Sequence, residues 1–200
     1  MENFFKIRAD KQEHIINAAI KVFGRQGYKK ASVADIAQEA GITKGMITYY
    51  FGSKRTLYVY LLDACKATLV QSLDGRLTPE ITDFFERIKI FMDIQLSAIK
   101  AFPAIVSFMT SLFKENDPEV VDEIEKAFDS EFAEINQMLL AGSDMTKFKD
   151  GVDTARICQL VLWSVGGFME ALYETTQKGD IDKAAADFNG CMDIMREAFY

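Results

Sequence analysis

Residues 32–54 read SVADIAQEAGITKGMITYYFGSK and predict two short helices on either side of a glycine turn. Ser32 is placed to cap the first helix, and Asp35, three residues later, completes a capping box. Gly41 ends that helix, because glycine readily adopts the backbone conformation that follows a helix C-terminus. The apolar residues between these points recur at i, i+3, i+4 and i+7, which gives the helix one inward stripe: Val33, Ile36, Ala37 and Ala40.

A second helix follows the turn, with Thr43 as its cap and with Ile47 and Phe51, four residues apart, as its inward face. Two such helices around a glycine turn predict a helix-turn-helix, whose second helix enters the major groove of DNA. Helical rotation then points Gly45 and Tyr49 directly outward. The other outward side chains flank these two or lie at the helix edges, in reach of bases or phosphates: Met46, Thr48, Lys44 and Tyr50.

Two glycines add to this predicted surface. Gly45 weakens the first helical turn by about 1 kcal/mol relative to alanine, so its presence indicates that a large partner approaches the backbone closely. Gly52 ends the second helix and Ser53 can cap the next one, which directs backbone N–H groups and Lys54 toward an anion. A DNA phosphate is the expected anion.

The chain from Gly27 and Tyr28 through ASVADIAQEAGITKGMITYYFGSKRTLY resembles the N-terminal DNA-binding domain of the TetR family of transcriptional regulators. The resemblance covers residues 11–60 and is carried by an ordered set: Phe23, Gly27, Ile36, Ala37, Ala40, Gly41, Lys44, Gly45, Tyr50, Phe51 and Lys54. It implies that one group of residues contacts phosphates, namely Ser32, Thr43, Lys44, Tyr50 and Lys54. It implies that a second group approaches base edges, namely Gly45, Met46 and Tyr49. Met46 and Thr48 depart from the residue types common in the family, so the operator sequence cannot be inferred from relatives.

Composition and helical spacing predict an all-α fold. The chain has 200 residues, 49% of them hydrophobic, which is enough to bury one or two cores, and no strand alternation competes with the helical pattern. Pro79 and Pro118 follow the potential caps Thr78 and Asp117 and predict helix starts. Beyond the first domain, helices are expected over residues 57–72, 80–101, 103–114, 118–141, 152–178 and 182–199.

With the resemblance, these patterns predict two domains. Residues 1–52 form a three-helix DNA-binding domain that contains the helix-turn-helix. Residues 53–200 form a larger C-terminal helical domain for ligand binding and dimerisation. A helix over residues 53–72 links the two domains.

Charge also separates the two parts of the chain. Residues 1–60 hold ten Lys or Arg and five Asp or Glu, whereas the remainder holds 13 basic and 25 acidic residues. This basic excess coincides with the predicted helix-turn-helix, which indicates phosphate contacts rather than random surface charge. Lys6, Arg8 and Lys11 are candidates for a mobile arm near the minor groove, or for a solvated tail.

The resemblance implies a small-molecule site in the C-terminal domain. Its middle helices are rich in Phe and Met around a few polar groups, which suits an adaptable pocket as well as an ordinary core. The candidate ligand-binding residues are Phe91, Met92, Gln95, Phe108, Met109, Phe132 and Trp163. These helices lack converging pairs of basic residues, which favours a largely apolar effector over a polyanion.

The last two predicted helices carry apolar stripes with small residues, which suit close helix packing. Taken alone, such stripes are typical of an internal core. TetR relatives dimerise through their last two long helices, so the resemblance favours a four-helix interface between two copies. The candidate interface residues are Leu162, Gly166, Met169, Tyr173, Phe188, Met192 and Met195. A dimer would bind a palindrome with half-sites about 34 Å apart, or a multiple of that.

Other classes of protein are disfavoured. The sequence has no phosphate-cradling glycine loop, GxSxG turn or HExxH helix, so we expect no catalytic residues, metal or cofactor. Cys65, Cys158 and Cys191 lack CxxC spacing and suit reduced packing thiols better than a redox sensor. The apolar stretch 157–169 is too short to span a membrane, and residues 1–11 lack the core of a signal peptide, so we expect a cytoplasmic protein.

These patterns predict a sequence-specific transcriptional regulator, most simply a repressor that a small-molecule effector releases from a palindromic operator. One alternative is a ligand-independent architectural or adaptor protein, and another is an enzyme with a vestigial helix-turn-helix. A regulator should prefer its palindrome over random DNA by a factor of about 10³ or more, whereas an architectural protein should show little preference. The enzyme would turn over a bound compound.

Overall fold

The computed structural model describes residues 1–71, 75–175 and 181–200, without the side chains of residues 69–71, 131 and 173–175. The described residues form α-helices and one 3₁₀ turn, Met145–Lys147, with no strand among them, which confirms the predicted all-α fold. The helices are α1 Glu2–Phe5, α2 Ala9–Lys30, α3 Val33–Glu39, α4 Lys44–Phe51, α5 Lys54–Gln71, α6 Phe84–Ala101, α7 Pro103–Leu112, α8 Val121–Ala141, α9 Thr154–Thr175 and α10 Ile181–Phe199.

The chain packs into two compact units, which we call the head and the body. The head comprises residues 1–68 and 102–128, and the body comprises residues 69–101 and 129–200. The head therefore contains α7 and the start of α8 in addition to the predicted DNA-binding helices. The functional division at residue 52 remains a prediction.

The caps predicted for α3 and α4 are confirmed. The Asp35 amide donates to the Ser32 hydroxyl over 3.1 Å, and the Ser32 amide donates to the Asp35 carboxylate over the same distance, which makes a complete capping box. The Met46 amide donates to the Thr43 hydroxyl at the start of α4. Gly41, with φ at +60°, makes the turn between the helices, since non-glycine side chains rarely adopt this conformation. These contacts fix the entry and exit of both short helices.

The head has an aromatic core where α2, α5 and α7 meet. Phe23, Tyr58 and Phe108 are fully buried, with ring centroids 4.9 Å apart between Phe23 and Tyr58 and 5.4 Å apart between Tyr58 and Phe108. Gly24 lets α7 approach the backbone of α2, because a Cβ there would lie 2.9 Å from the Phe108 amide nitrogen and from the Ser107 hydroxyl. Phe108, predicted to line a ligand pocket, is thus part of the head core.

The helix start predicted at Pro79 is wrong. Residues 79–80 form a turn, and α6 begins at Phe84, where the Asp83 carboxylate accepts from the Glu86 amide over 3.0 Å. Asp83 also accepts from the Arg196 guanidinium over 2.8 Å, so a tertiary contact anchors the true cap. Pro118 likewise lies in the turn before α8, which begins at Val121.

The body is held at one end by a buried arginine. The guanidinium of Arg87 donates to four carbonyls, those of Leu139 and Met138 in the last turn of α8 and those of Thr78 and Ile81. A cation stabilises a helix C-terminus, whose carbonyl oxygens have no partner within the helix. The C-terminal Tyr200 closes the same unit, since its hydroxyl accepts from the Phe84 amide and its ring packs against Phe148 at 4.9 Å.

Among the described residues, no single helix combines the length and apolar character that a membrane span requires. The helices α6 and α7 meet that criterion only when they are taken together across the break between them.

Candidate nucleic-acid interface

The outward face of α4 is open to solvent. Tyr49 is 65% exposed, and Thr43, Lys44, Gly45 and Thr48 are also exposed. Met46, which flanks them, is half-buried. Among the described residues, a Cβ added to Gly45 would meet only the Thr43 hydroxyl within 4 Å, so the backbone of this turn is open to a partner. The rotation of α4 therefore agrees with the prediction at each of these residues, and Ile47 and Phe51 are buried beneath them.

Tyr50 differs from its prediction as an edge residue that reaches a phosphate. Its side chain is buried, with its ring centroid 6.0 Å from that of Phe4 and 5.7 Å from that of Tyr49. The reason is the short helix α1, which precedes the predicted motif and covers this edge of α4. Tyr50 thus belongs to the support of the recognition helix.

Lys54 also differs from its prediction. Instead of pointing outward, its ammonium donates to the carbonyls of Tyr28 and Ala31, over 2.9 and 3.3 Å, and lies 4.0 Å from the centroid of the Tyr28 ring. These carbonyls end α2, where a cation is favoured electrostatically. Of the three ammonium N–H groups, at most one remains for a phosphate.

Ser32 is half-buried and serves mainly as a helix cap. Its hydroxyl donates to the Asp35 carboxylate over 2.7 Å while it accepts from the Asp35 amide. The single hydroxyl hydrogen is thus already donated to Asp35, so the Ser32 side chain cannot donate to a phosphate. Only one acceptor lone pair of the hydroxyl remains. Any phosphate contact at the start of α3 would therefore come from its backbone N–H groups.

Sequence reasoning missed two candidate phosphate contacts, Lys29 and Lys30. Both are exposed at the C-terminal end of α2, directly before α3. Within the described residues neither they nor Lys44 form an ion pair, whereas Arg25 is paired with Glu39 at 2.9 Å. The sequence could have indicated these two lysines by their position, since they lie two and three residues before Ser32, the cap of α3.

A polar cluster joins the end of α2 to the loop before α8. At Gly27 the backbone leaves the helical conformation, with φ at +70°, and the Tyr28 amide donates to the Glu115 carboxylate over 2.7 Å. The Tyr28 hydroxyl donates to the Glu119 carboxylate over 2.5 Å, and burial, together with that carboxylate, raises its pKa. The Arg55 guanidinium donates to the Glu119 carbonyl and pairs with Glu123. We call this cluster the Tyr28 clamp.

The predicted ligand-binding residues separate into three groups. Phe91, Met92 and Gln95 are buried on α6 in the body. Phe108 and Met109 are buried on α7 in the head, which is a different unit. The last two predicted residues are exposed in the single chain, Phe132 at 37% and Trp163 at 61%. The ligand-binding role of all seven residues remains a prediction.

Three of the seven predicted interface residues are buried within the subunit. Leu162, Phe188 and Met192 are buried within the subunit, because they form the inward faces of α9 and α10. Gly166, Met169 and Met195 are half-buried, and the side chain of Tyr173 lies outside the described residues. Large apolar side chains instead project from the opposite faces of the two helices: Leu160 (55% exposed), Trp163 and Ile194 (69% exposed).

The three cysteines differ in burial. Cys65 and Cys158 are buried, and Cys191 is exposed. Burial raises the pKa of the Cys158 thiol to about 11, so it is protonated at neutral pH and poorly nucleophilic.

Comparison with known proteins identifies the head. Residues 15–61 match the family model of bacterial regulatory proteins of the tetR family. The HTH-type transcriptional regulator YvdT of Bacillus subtilis is 33% identical over 88 residues, which are 44% of this chain and 45% of that regulator.

Two further comparisons extend over the body. The fatty acid metabolism regulator protein of Bacillus subtilis is 19% identical over 176 residues, 88% of this chain and 90% of that protein. The solved structure of the transcriptional regulator FadR from Bacillus subtilis in complex with stearoyl-CoA is 18% identical, covers 90% of this chain and 96% of that one, and has a TM-score of 0.72. The proteins matched are regulators of transcription rather than enzymes. Residues 15–61 therefore form a DNA-binding domain of the TetR family, and the helices α3 and α4 within them are its helix-turn-helix.

Proposed function

We propose that this protein is a cytoplasmic, dimeric repressor that binds a palindromic operator and is released from it by a largely apolar small molecule. The observation that carries the proposal is the outward face of α4, where Tyr49 is 65% exposed beside the open backbone of Gly45. A bulky, amphipathic side chain and an unobstructed helical turn suit direct contact with base edges. Lys44, Lys29 and Lys30 supply unpaired positive charge for the phosphates on either side.

The proposed dimer uses the outward faces of α9 and α10. Leu160 and Trp163 lie three residues apart on one side of α9, and Ile194 lies on the outward side of α10. Such large apolar side chains are costly to leave in water, and aromatic anchors are enriched at protein interfaces. A twofold axis through these faces would set two heads at a fixed separation, as a palindrome requires.

The proposed effector binds in the body. Buried Phe91 and Met92 lie one turn from buried Gln95 on α6, which combines an apolar lining with one group able to orient a polar atom. The FadR relative was solved with stearoyl-CoA, a molecule with a long acyl chain. An acyl chain is therefore the first effector to test, with the α6 side chains as its expected contacts.

Release requires that the effector favour a body conformation that is incompatible with the operator. To shift the DNA-competent fraction from 99% to 1%, the effector must bind the two states with affinities that differ by about 10⁴-fold, or about 5.5 kcal/mol. This shift lowers operator affinity about 100-fold, and by reciprocity operator DNA weakens effector binding by the same factor of about 100. The helices α5 and α8 each contribute residues to both units, and within the head the Tyr28 clamp connects α2 and α5 to the start of α8, so these two helices are the proposed routes of coupling.

The test is selection of bound sequences from random DNA by the purified protein at near-physiological salt. Enrichment of a twofold-symmetric motif, followed by its release by stearoyl-CoA, would support operator binding and induction together. Enrichment without release by stearoyl-CoA or by stearic acid would refute the acyl effector but leave the regulator. Binding without any enriched motif would favour the architectural alternative.

A further inference from the structure

The N-terminal segment, residues 1–7, lies outside the part of the chain that matches the family model, yet it is packed against the recognition helix. Phe4 on α1 is fully buried, although its neighbour Phe5 is 54% exposed. Gln12 on α2 holds the segment in place, because its side-chain amide donates to the Ile7 carbonyl over 2.8 Å. The segment that holds Lys6 is thus anchored by Phe4, which differs from the mobile arm considered from sequence.

The ring of Phe4 fills the space behind α4. Its centroid lies 4.7 Å from that of Phe51 and 6.0 Å from that of Tyr50, the last two residues of the recognition helix. It also lies 5.9 Å from the ring of Tyr60 on α5, and the Tyr60 ring itself lies 6.0 Å from that of Phe51. Phe4 therefore completes a cluster of rings that joins α1 to the end of α4 and to α5.

This contact bears on how α4 presents its outward face. The helix is only eight residues long, so its orientation comes from tertiary packing rather than from its own stability. Side chains extend about 5 to 6 Å from a helix axis, so a rotation of about 10° displaces them by about 1 Å. Hydrogen bonds to base edges tolerate little displacement of this kind, whereas contacts with phosphates through flexible lysines tolerate more.

We infer that Phe4 is a positioning residue for operator recognition, which fixes the rotation of α4 by packing against Tyr50 and Phe51. It touches no DNA itself and acts through the two aromatic residues that follow Tyr49. Loss of the ring should therefore reduce sequence-specific binding more than non-specific binding. This inference builds on the proposed operator function.

The test compares Phe4→Ala, Phe4→Leu and the matched control Phe5→Ala with the wild type in the full-length protein. Affinity for the selected operator and for random DNA is measured for each, together with helix content at the assay temperature. Phe4→Ala should reduce the ratio of operator to random-DNA affinity by at least about tenfold, and Phe4→Leu, which retains most of the apolar volume, by about threefold. Phe5→Ala should leave the ratio unchanged.

Several outcomes would overturn the inference. An unchanged ratio in Phe4→Ala, or an equal loss of operator and random-DNA affinity, would reduce Phe4 to a stabilising residue. If Phe4→Ala is unfolded at the assay temperature, Phe4→Leu provides the test. A ratio of operator to random-DNA affinity equal to that of the wild type in Phe4→Leu would then overturn the inference. Failure of the wild type to select any motif would instead refute the proposed operator function.

Hydrogen exchange gives a second readout that does not depend on DNA. Amides of Thr48–Phe51 should exchange faster in Phe4→Leu than in the wild type, while amides of α3 should not change. Unchanged exchange at the end of α4 would count against a positioning role.

Discussion

The outward face of α4 and the outward faces of α9 and α10 are both exposed, but their chemistry differs. On α4, Tyr49 stands among threonines, a lysine and a glycine. On α9 and α10, the large apolar side chains of Leu160, Trp163 and Ile194 are exposed among charged and polar residues. The face of α4 suits a charged, hydrated partner such as DNA, whereas three exposed large apolar side chains suit a partner that excludes water, such as a second protein surface. Exposure alone therefore does not distinguish the two interfaces, whereas the type of exposed side chain does.

The largest expected effect comes from removal of the α4 side chains. Lys44→Ala with Tyr49→Ala should reduce operator affinity by about 100-fold or more, because a phosphate contact and a base contact are lost together. Both residues are exposed, so the thermal unfolding temperature should stay close to that of the wild type. Titration of the selected operator measures the loss, and Arg156→Ala, an exposed arginine of the body, is the control. Retained operator binding in the double variant would refute the site.

The second expected effect tests whether the exposed apolar side chains of α9 form a protein interface. Leu160→Glu with Trp163→Glu should convert a dimer into a monomer without unfolding it, with at least a 100-fold weaker dimerisation constant in sedimentation equilibrium. Leu162→Ala is the matched comparison, because this side chain is buried in the subunit. It should cost about 2 to 5 kcal/mol of unfolding free energy. A dimer that survives the double charge substitution would exclude this face.

A smaller effect on the free energy of unfolding is expected from two buried tyrosines of the head, Tyr28 and Tyr58. Tyr28→Phe removes a hydroxyl that donates to the Glu119 carboxylate, and should cost about 1 kcal/mol of unfolding free energy. The Tyr58 hydroxyl has no hydrogen-bond partner among the described residues, so Tyr58→Phe should be neutral or stabilising by up to about 1 kcal/mol. Denaturant unfolding measures both. Equal effects of the two substitutions would remove the energetic basis of the Tyr28 clamp.

The smallest change is a single methyl group on α4. Gly45→Ala should raise the free energy of unfolding by up to about 1 kcal/mol, since alanine favours the helix and the added Cβ meets no close protein atom. If DNA approaches this turn closely, the same methyl group should weaken operator binding by about tenfold. If Gly45→Ala increases stability but decreases operator affinity, the glycine is retained for DNA binding rather than for folding. A stabilised variant with full operator affinity would contradict close approach.

Helical spacing predicted the outward side of α4 correctly but not that of α9. In α4 the two aliphatic or phenyl side chains that point inward, Ile47 and Phe51, lie four residues apart, and the opposite side carries Lys44, Thr48 and Tyr49, so only one rotation buries the apolar side. In α9 apolar residues occur on several sides, and Leu162 and Trp163 are adjacent in sequence yet differ completely in exposure. Periodicity cannot choose between two apolar sides, because the choice depends on which neighbouring helix covers each of them.

The hydrogen-bond partners of Lys54 and Tyr28 could not be predicted from sequence either. Lys54 was expected to reach outward, yet its ammonium lies against carbonyls 23 and 26 residues earlier in the chain. Glu115 and Glu119 lie 87 and 91 residues from Tyr28, and nothing in local sequence pairs them. Such contacts arise only when distant segments fold together.

The sequence by itself determined the local structure of the DNA-binding motif. Caps, glycine turns and the spacing of Val33, Ile36, Ile47 and Phe51 are interactions over a few residues, so their physics is contained in short stretches of chain. The tertiary structure alone decided that Phe4 packs against Tyr50 and buries that edge of α4, that Phe108 belongs to the head, and that Trp163 faces solvent. Each of these facts depends on which distant surfaces exclude water from one another, and that is a property of the packed chain rather than of any segment.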